Sequence, residues 1–188
     1  MKGLFAFIII IATSFTSILH AQMEIEGVKL LETQKIGEHT LSLNGAGVRE
    51  KLWFDIYVCS LYLPEKNNDA EAVVSADKPM SLKLNVISSM LTSDKMQDAT
   101  LEGFKKSTHD NMAPIKKEID QLITLFKDEI TVGDVYELNY LPEEGVQVLK
   151  NGSLKDVIKG LPFKQALFGI WLSDNPVQKD LKAELLGN

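Results

Sequence analysis

The sequence predicts an α+β domain in which hairpin-joined antiparallel strands are covered by helices that each bury one face. Three observations carry this. Met80 to Ser88 alternates apolar and polar residues, as a half-buried strand does. The segments 145–150 and 153–158 flank Asn151-Gly152, two residues that accept the positive φ values of a tight hairpin turn. The stretches 92–106 and 114–126 place apolar residues at helical spacing. Strands joined by hairpins, with helices inserted in pairs, do not read as a doubly wound parallel sheet.

Along the chain, Met1 and Lys2 precede an apolar run from Leu4 to Leu19, and Ala21 offers a small residue before Gln22. This is the pattern of a signal peptide over residues 1–21, too short and too quickly followed by acids to stay as a membrane span. The expected location is therefore periplasmic or secreted, with one domain over 22–188 and no Pro/Ser/Gly-rich linker inside it. Residues 27–36 read as one or two strands and His39 to Leu43 as another short one. In Met80 to Ser88, Met80, Leu82, Leu84 and Val86 share one face and Ser81, Lys83 and Asn85 the other. Thr92 or Ser93 caps a helix to about Lys106, with Met96, Ala99, Gly103 and Phe104 on its apolar side. Pro114 suits the first turn of a second helix, striped by Ile115, Ile119, Leu122, Ile123 and Phe126. Val135 to Leu141 is a strand leading into the 145–158 hairpin. Pro162 opens a short apolar helix containing Phe163, Ala166, Leu167, Ile170 and Trp171. Asn175, Pro176 and Gln178 read as cap, first-turn proline and capping-box partner of a last helix, which Gly187 can end.

The formal charge of −6, with no Lys/Arg block or basic stripe, argues against a nucleic-acid partner. A single cysteine, Cys59, leaves no internal disulfide and sits in an apolar run, where it packs as a small hydrophobe. His20, His39 and His109 are scattered without metal-ligand spacing. No phosphate-cradling glycine loop, no nucleophile elbow and no internal repeat is present. Neither a cofactor, nor a metal, nor a catalytic set is expected.

The informative stretch is Leu43-Asn44-Gly45-Ala46-Gly47-Val48-Arg49, followed by Trp53-Phe54-Asp55-Ile56-Tyr57-Val58-Cys59-Ser60-Leu61-Tyr62-Leu63-Pro64. Gly45 and Gly47 remove side chains two apart and let a bulge or another group come close. Arg49 is the only arginine; every other basic side chain of this class is a lysine. Its planar fork holds a carboxylate in a two-pronged way that lysine does not copy. The partner is either internal, Glu50 or Asp55, or the acid of a ligand. If the chain doubles back near Leu52-Trp53, residues 49 and 57 lie opposite each other and bring the Tyr57 hydroxyl near the guanidinium.

This run, from the glycines and Arg49 to the strand ending at Leu63, resembles the chalcone isomerase-like family, and in particular an exported bacterial branch related to its fatty-acid-binding members. The resemblance implies an open-faced β-sandwich, a large antiparallel sheet covered on one face by helices. It also implies that Arg49 is the ligand-binding arginine and Tyr57 the tyrosine beside it in the fatty-acid-binding branch. The isomerases' catalytic tyrosine and asparagine fall on Met96 and Gly103, neither of which performs their task. The expected function is non-catalytic binding of a small apolar carboxylate, fatty acid-like, by Arg49, Tyr57, Tyr62 and Met96, with Leu61 and Phe104 as further lining. The alternative is an intramolecular lyase or isomerase acting on an enone-type substrate, with Tyr57 or Tyr62 as proton donor.

Overall fold

A computed structural model describes residues 23–188 of the protein. The leader expected over 1–21 lies outside the described residues. Strands β1 (Met23–Ile25) and β2 (Val28–Leu30) form a small separate hairpin. The main sheet has seven strands: β3 (Thr33–Ile36), β4 (His39–Lys51), β5 (Phe54–Leu63), β6 (Met80–Val86), β7 (Val135–Leu141), β8 (Gly145–Lys150) and β9 (Ser153–Ile158). They lie side by side in chain order, each antiparallel to the next. Every connection is thus a hairpin or a hairpin with helices inserted, which is the predicted α+β arrangement of a large antiparallel sheet with helices.

Helices occupy two of those insertions and the C-terminus. Helix α1 (Ala70–Ser75) precedes β6; α2 (Ser93–Ser107) and α3 (Lys116–Thr124) lie between β6 and β7. Helices α4 (Leu161–Leu172) and α5 (Lys179–Leu185) follow the sheet. Thr92 caps α2 by accepting from the Lys95 amide, and Pro114 sits in a 3-10 turn, Ala113–Ile115, that leads into α3. Helix α4 differs from the others in being buried nearly all round, because α1, α2 and α5 pack against it on the sides the sheet leaves open.

Pairing puts partners of neighbouring strands on one face, so the core can be read as rows. One runs Gly45, Leu61, Leu82, Leu138, Val148; the next runs Gly47, Cys59, Leu84, Tyr136; a third begins Arg49, Tyr57, Val86. The apolar members of these rows join the side chains of α2, α3, α4 and α5 in a continuous buried cluster. On the opposite face Lys83 pairs with Glu137 at 3.4 Å, and Gln34, Ser81 and Asn139 share hydrogen bonds.

Three elements depart from the sequence expectation. Strand β4 does not stop at Leu43 but runs thirteen residues through both glycines to Lys51. The glycines are tolerated because α5 lies directly on them: a Cβ at Gly45 would collide with the Glu184 carbonyl oxygen, and one at Gly47 would meet the Glu184 carboxylate. The last helix starts at Lys179, not at Pro176, and neither Asn175 nor Gln178 caps it with a side chain. Gln178 is diverted to β4 instead, as described below. Helix α1 was not foreseen; its six residues are too few for a periodicity to register.

Candidate ligand-binding site

The site begins with a turn. Strands β4 and β5 reverse at Leu52-Trp53, both with positive φ (49° and 70°), in a position where glycine or asparagine is the usual occupant. This tight reversal sets the register that places Arg49 opposite Tyr57. A bulge between Arg49 and Glu50 leaves Ile56 as the extra residue of β5. Arg49 and Tyr57 therefore lie side by side on the helix-covered face, near the sheet's edge toward α5.

Tyr57 is almost fully buried. Its hydroxyl oxygen accepts a hydrogen bond from the Trp171 indole Nε1–H at 3.0 Å. Burial pushes its pKa well above the ordinary phenol value, with Cys59 adding to the rise; Arg49 and Trp171 oppose it through charge and hydrogen bonding. The side chain is thus a neutral phenol at physiological pH, with its acceptor side engaged and its proton free to donate. That makes it a donor to an anion and unsuited to act as a general base. Cys59, two residues on, is fully buried and its thiol is likewise pushed up by desolvation, so it packs as core.

Arg49 is half-buried. Its Nη1 donates to the Glu50 backbone carbonyl and to Gln178 Oε1 at 3.1 Å. Gln178 in turn accepts from the Glu50 amide (2.9 Å) and donates to the Val48 carbonyl (3.2 Å), so one amide side chain ties the start of α5 to the end of β4. The ion pairs among the described residues run between other groups, and neither Glu50 nor Asp55 pairs with Arg49. A guanidinium carries five donors in a fixed fork, and these neutral partners, with the Tyr57 hydroxyl beside them, leave donors over for an anion.

Arg49 and Tyr57 stand at the wall of a cavity of about 240 Å³ between the sheet and the helices. Its apolar lining comes from Ile56, Leu84 and Leu138 of the sheet, Met96 of α2, and Leu167, Ile170 and Trp171 of α4. The rim carries Lys51, Lys95 and Lys106, against one acid, Glu102, which pairs with Lys106 at 3.7 Å. The arrangement offers a positive, hydrogen-bonding end and a greasy interior, which suits an amphiphilic anion. No cluster of three metal-ligating side chains occurs among the described residues.

The structure brings Arg49, Tyr57 and Met96 together around this space. Tyr62 is not among them, and here the sequence reading is corrected. It lies five residues from Tyr57 on one strand, hence on the other face, where it packs with Ile36, Leu41 and Leu141. Leu61 and Phe104 are core residues outside the cavity wall. Trp171, which holds the Tyr57 hydroxyl, was read only as part of an apolar helix; a buried indole N–H needs an acceptor, but the sequence does not say which. Gly103, which the resemblance matches to the isomerases' asparagine, is a helix crossing: a Cβ there would lie 2.7 Å from Ile170 Cγ2.

The chalcone isomerase-like family profile matches residues 22–187, essentially the whole described chain. The chain belongs to that family. Among solved structures, this chalcone isomerase-like fold is similar to that of a fatty-acid binding protein from Arabidopsis thaliana, with a TM-score of 0.66 at 17% sequence identity. The likeness covers 85% of this chain and 92% of the plant protein. No curated protein matches the chain.

Proposed function

We propose that this chalcone isomerase-like protein is an exported carrier that binds a small apolar carboxylate such as a fatty acid. The observation that carries the reading is Arg49: half-buried, unpaired with any acid among the described residues, and beside a phenol that has a proton to give. In this reading Arg49 and Tyr57 hold the carboxylate and the acyl chain fills the cavity between sheet and helices. The fold shared with a plant fatty-acid binding protein supports it. Each enclosed methylene contributes about 0.8 kcal/mol, so the tail supplies affinity and the charged end supplies orientation. At about 240 Å³ the cavity lies just below the common range for ligand pockets, about 300–1,000 Å³. Medium-chain acids therefore fit better than long ones.

A calorimetric titration with dodecanoate tests this. The wild type is expected to bind and Arg49→Ala to bind about 10- to 100-fold more weakly, the range for a charged hydrogen bond. Equal affinity in the two proteins removes Arg49 from the site. Export is tested separately: N-terminal sequencing of protein from the cell exterior or periplasm should begin at Gln22. Incubation with a chalcone tests the isomerase alternative, with ring closure as the outcome that would favour it.

A further inference from the structure

The turn that sets the Arg49–Tyr57 register carries a second feature. Leu52, Trp53 and Phe54 follow one another at its tip and are 76%, 98% and 52% exposed. A tryptophan almost wholly in water, held at positive φ next to a leucine also at positive φ, satisfies neither packing nor local backbone preference. Such a position usually has glycine or asparagine, so the residues are explained by something the turn meets. The tip is continuous with the cavity: Leu52 and Met90, itself 37% exposed, line the same opening. Around that opening stand Arg49, Lys51, Lys95 and Lys106, with one acid, Glu102, which pairs with Lys106. Glu50 and Asp55, both exposed, lie opposite each other across the hairpin behind the tip, and the cations at the opening outnumber the acids around it. An apolar prow carrying tryptophan and backed by lysines matches the interfacial zone of a bilayer, where aromatic rings sit at the headgroups and lysine stems reach past apolar surface to anionic phosphates.

We infer that the 52–54 turn docks on an anionic lipid bilayer, with the cavity mouth facing the membrane so that the acid passes between lipid and protein without crossing water. This rests on the carrier reading for its purpose, but the docking itself is separable. The protein's two tryptophans make the test direct, since Trp171 is buried and Trp53 is not. The purified protein is mixed with phosphatidylcholine vesicles, with and without phosphatidylglycerol, containing acyl-chain-brominated lipid, and tryptophan emission is recorded. Expected are a blue shift and quenching, stronger with phosphatidylglycerol, both absent in Trp53→Gly, which suits the turn's backbone and leaves Trp171 as reporter. In parallel, Trp53→Gly and Trp53→Ser/Phe54→Ser should bind dodecanoate within about twofold of wild type, showing that the fold and the cavity persist. Wild-type emission unaffected by either vesicle, or quenching that survives in Trp53→Gly, overturns the docking. Loss of dodecanoate binding in wild type with vesicle quenching intact overturns the carrier reading and leaves the docking surface in place.

Discussion

At the scale of single residues, the two glycines of β4 and the two tyrosines of β5 show how little slack the site has. Gly45 and Gly47 both lie under α5, yet they meet different things. A Cβ at position 45 runs into the Glu184 and Leu185 backbone, whereas at position 47 it meets mainly the movable end of the Glu184 side chain. The bulge residue Asn44 adds to the first constraint by donating to the Leu185 carbonyl at 2.8 Å, which pins the end of α5 in place. Gly45→Ala is therefore expected to cost about 1–3 kcal/mol, the usual range for overpacking, and Gly47→Ala clearly less, in urea denaturation. Equal losses would mean that α5 is free to lift. Residue parity also explains what was legible in the site. Tyr57 and Tyr62 look alike in the sequence, but an odd separation along a strand sends them to opposite faces, and only Tyr57 shares a face with Arg49. That distinction was available from counting. The Trp171–Tyr57 bond was not, because it joins residues 114 apart through the packing of α4 on the sheet.

At the scale of elements, legibility followed turn chemistry. Asn151-Gly152 announced its hairpin, and both residues adopt the positive φ expected of them (53° and 75°). Leu52-Trp53 makes the same kind of reversal without the usual turn residues, while Gly45 and Gly47 make β4 read as ending at Leu43 where it runs on to Lys51. The start of α5 misled in the other direction: Asn175, Pro176 and Gln178 carry helix-start chemistry, but Gln178 finds stronger use bridging Val48, Arg49 and Glu50. Tertiary partners outcompete a local cap. The strained turn yields its own prediction. Left-handed backbone costs an ordinary residue about 1–2 kcal/mol, so Leu52→Asn/Trp53→Gly should raise the thermal midpoint by several degrees. A fall in the midpoint would show that the two side chains stabilise the native fold despite their exposure.

At the scale of the whole molecule, the sheet and helices are locked together by buried polar groups that do not line the ligand cavity. Lys164 of α4 is fully buried, and its ammonium donates to the carbonyls of Val73 (3.1 Å), Val74 (2.7 Å) and Ala76 (2.8 Å) at the end of α1. Beside it the Tyr140 hydroxyl of β7 donates to Asp77 at 2.6 Å. Three elements distant in sequence thus meet at one point, and this point makes stability depend on pH. Burial, and then the Asp77 acceptor, push the Tyr140 phenol from 10.0 up to about 12. In the unfolded chain the phenol deprotonates near its ordinary value, while the native state holds its proton. Below pH 10 both states are protonated and the full contribution is present. Between pH 10 and about 12 the unfolded state binds fewer protons, so stability falls as pH rises, by at most about 2–3 kcal/mol from this group. Tyr57, raised by burial in the same sense, extends the loss to still higher pH. Lys164, lowered by burial from 10.5 to about 8, acts in the opposite sense up to its ordinary value, so the test is a difference: in urea denaturation from pH 9 to 11 the wild type should lose stability relative to Tyr140→Phe as pH rises. The sign matters more than the size: no change on Tyr140→Phe would mean that the phenol titrates alike in the native and unfolded states, and a wild type that gains stability relative to Tyr140→Phe as pH rises would mean that Lys164, not Asp77, is its dominant partner.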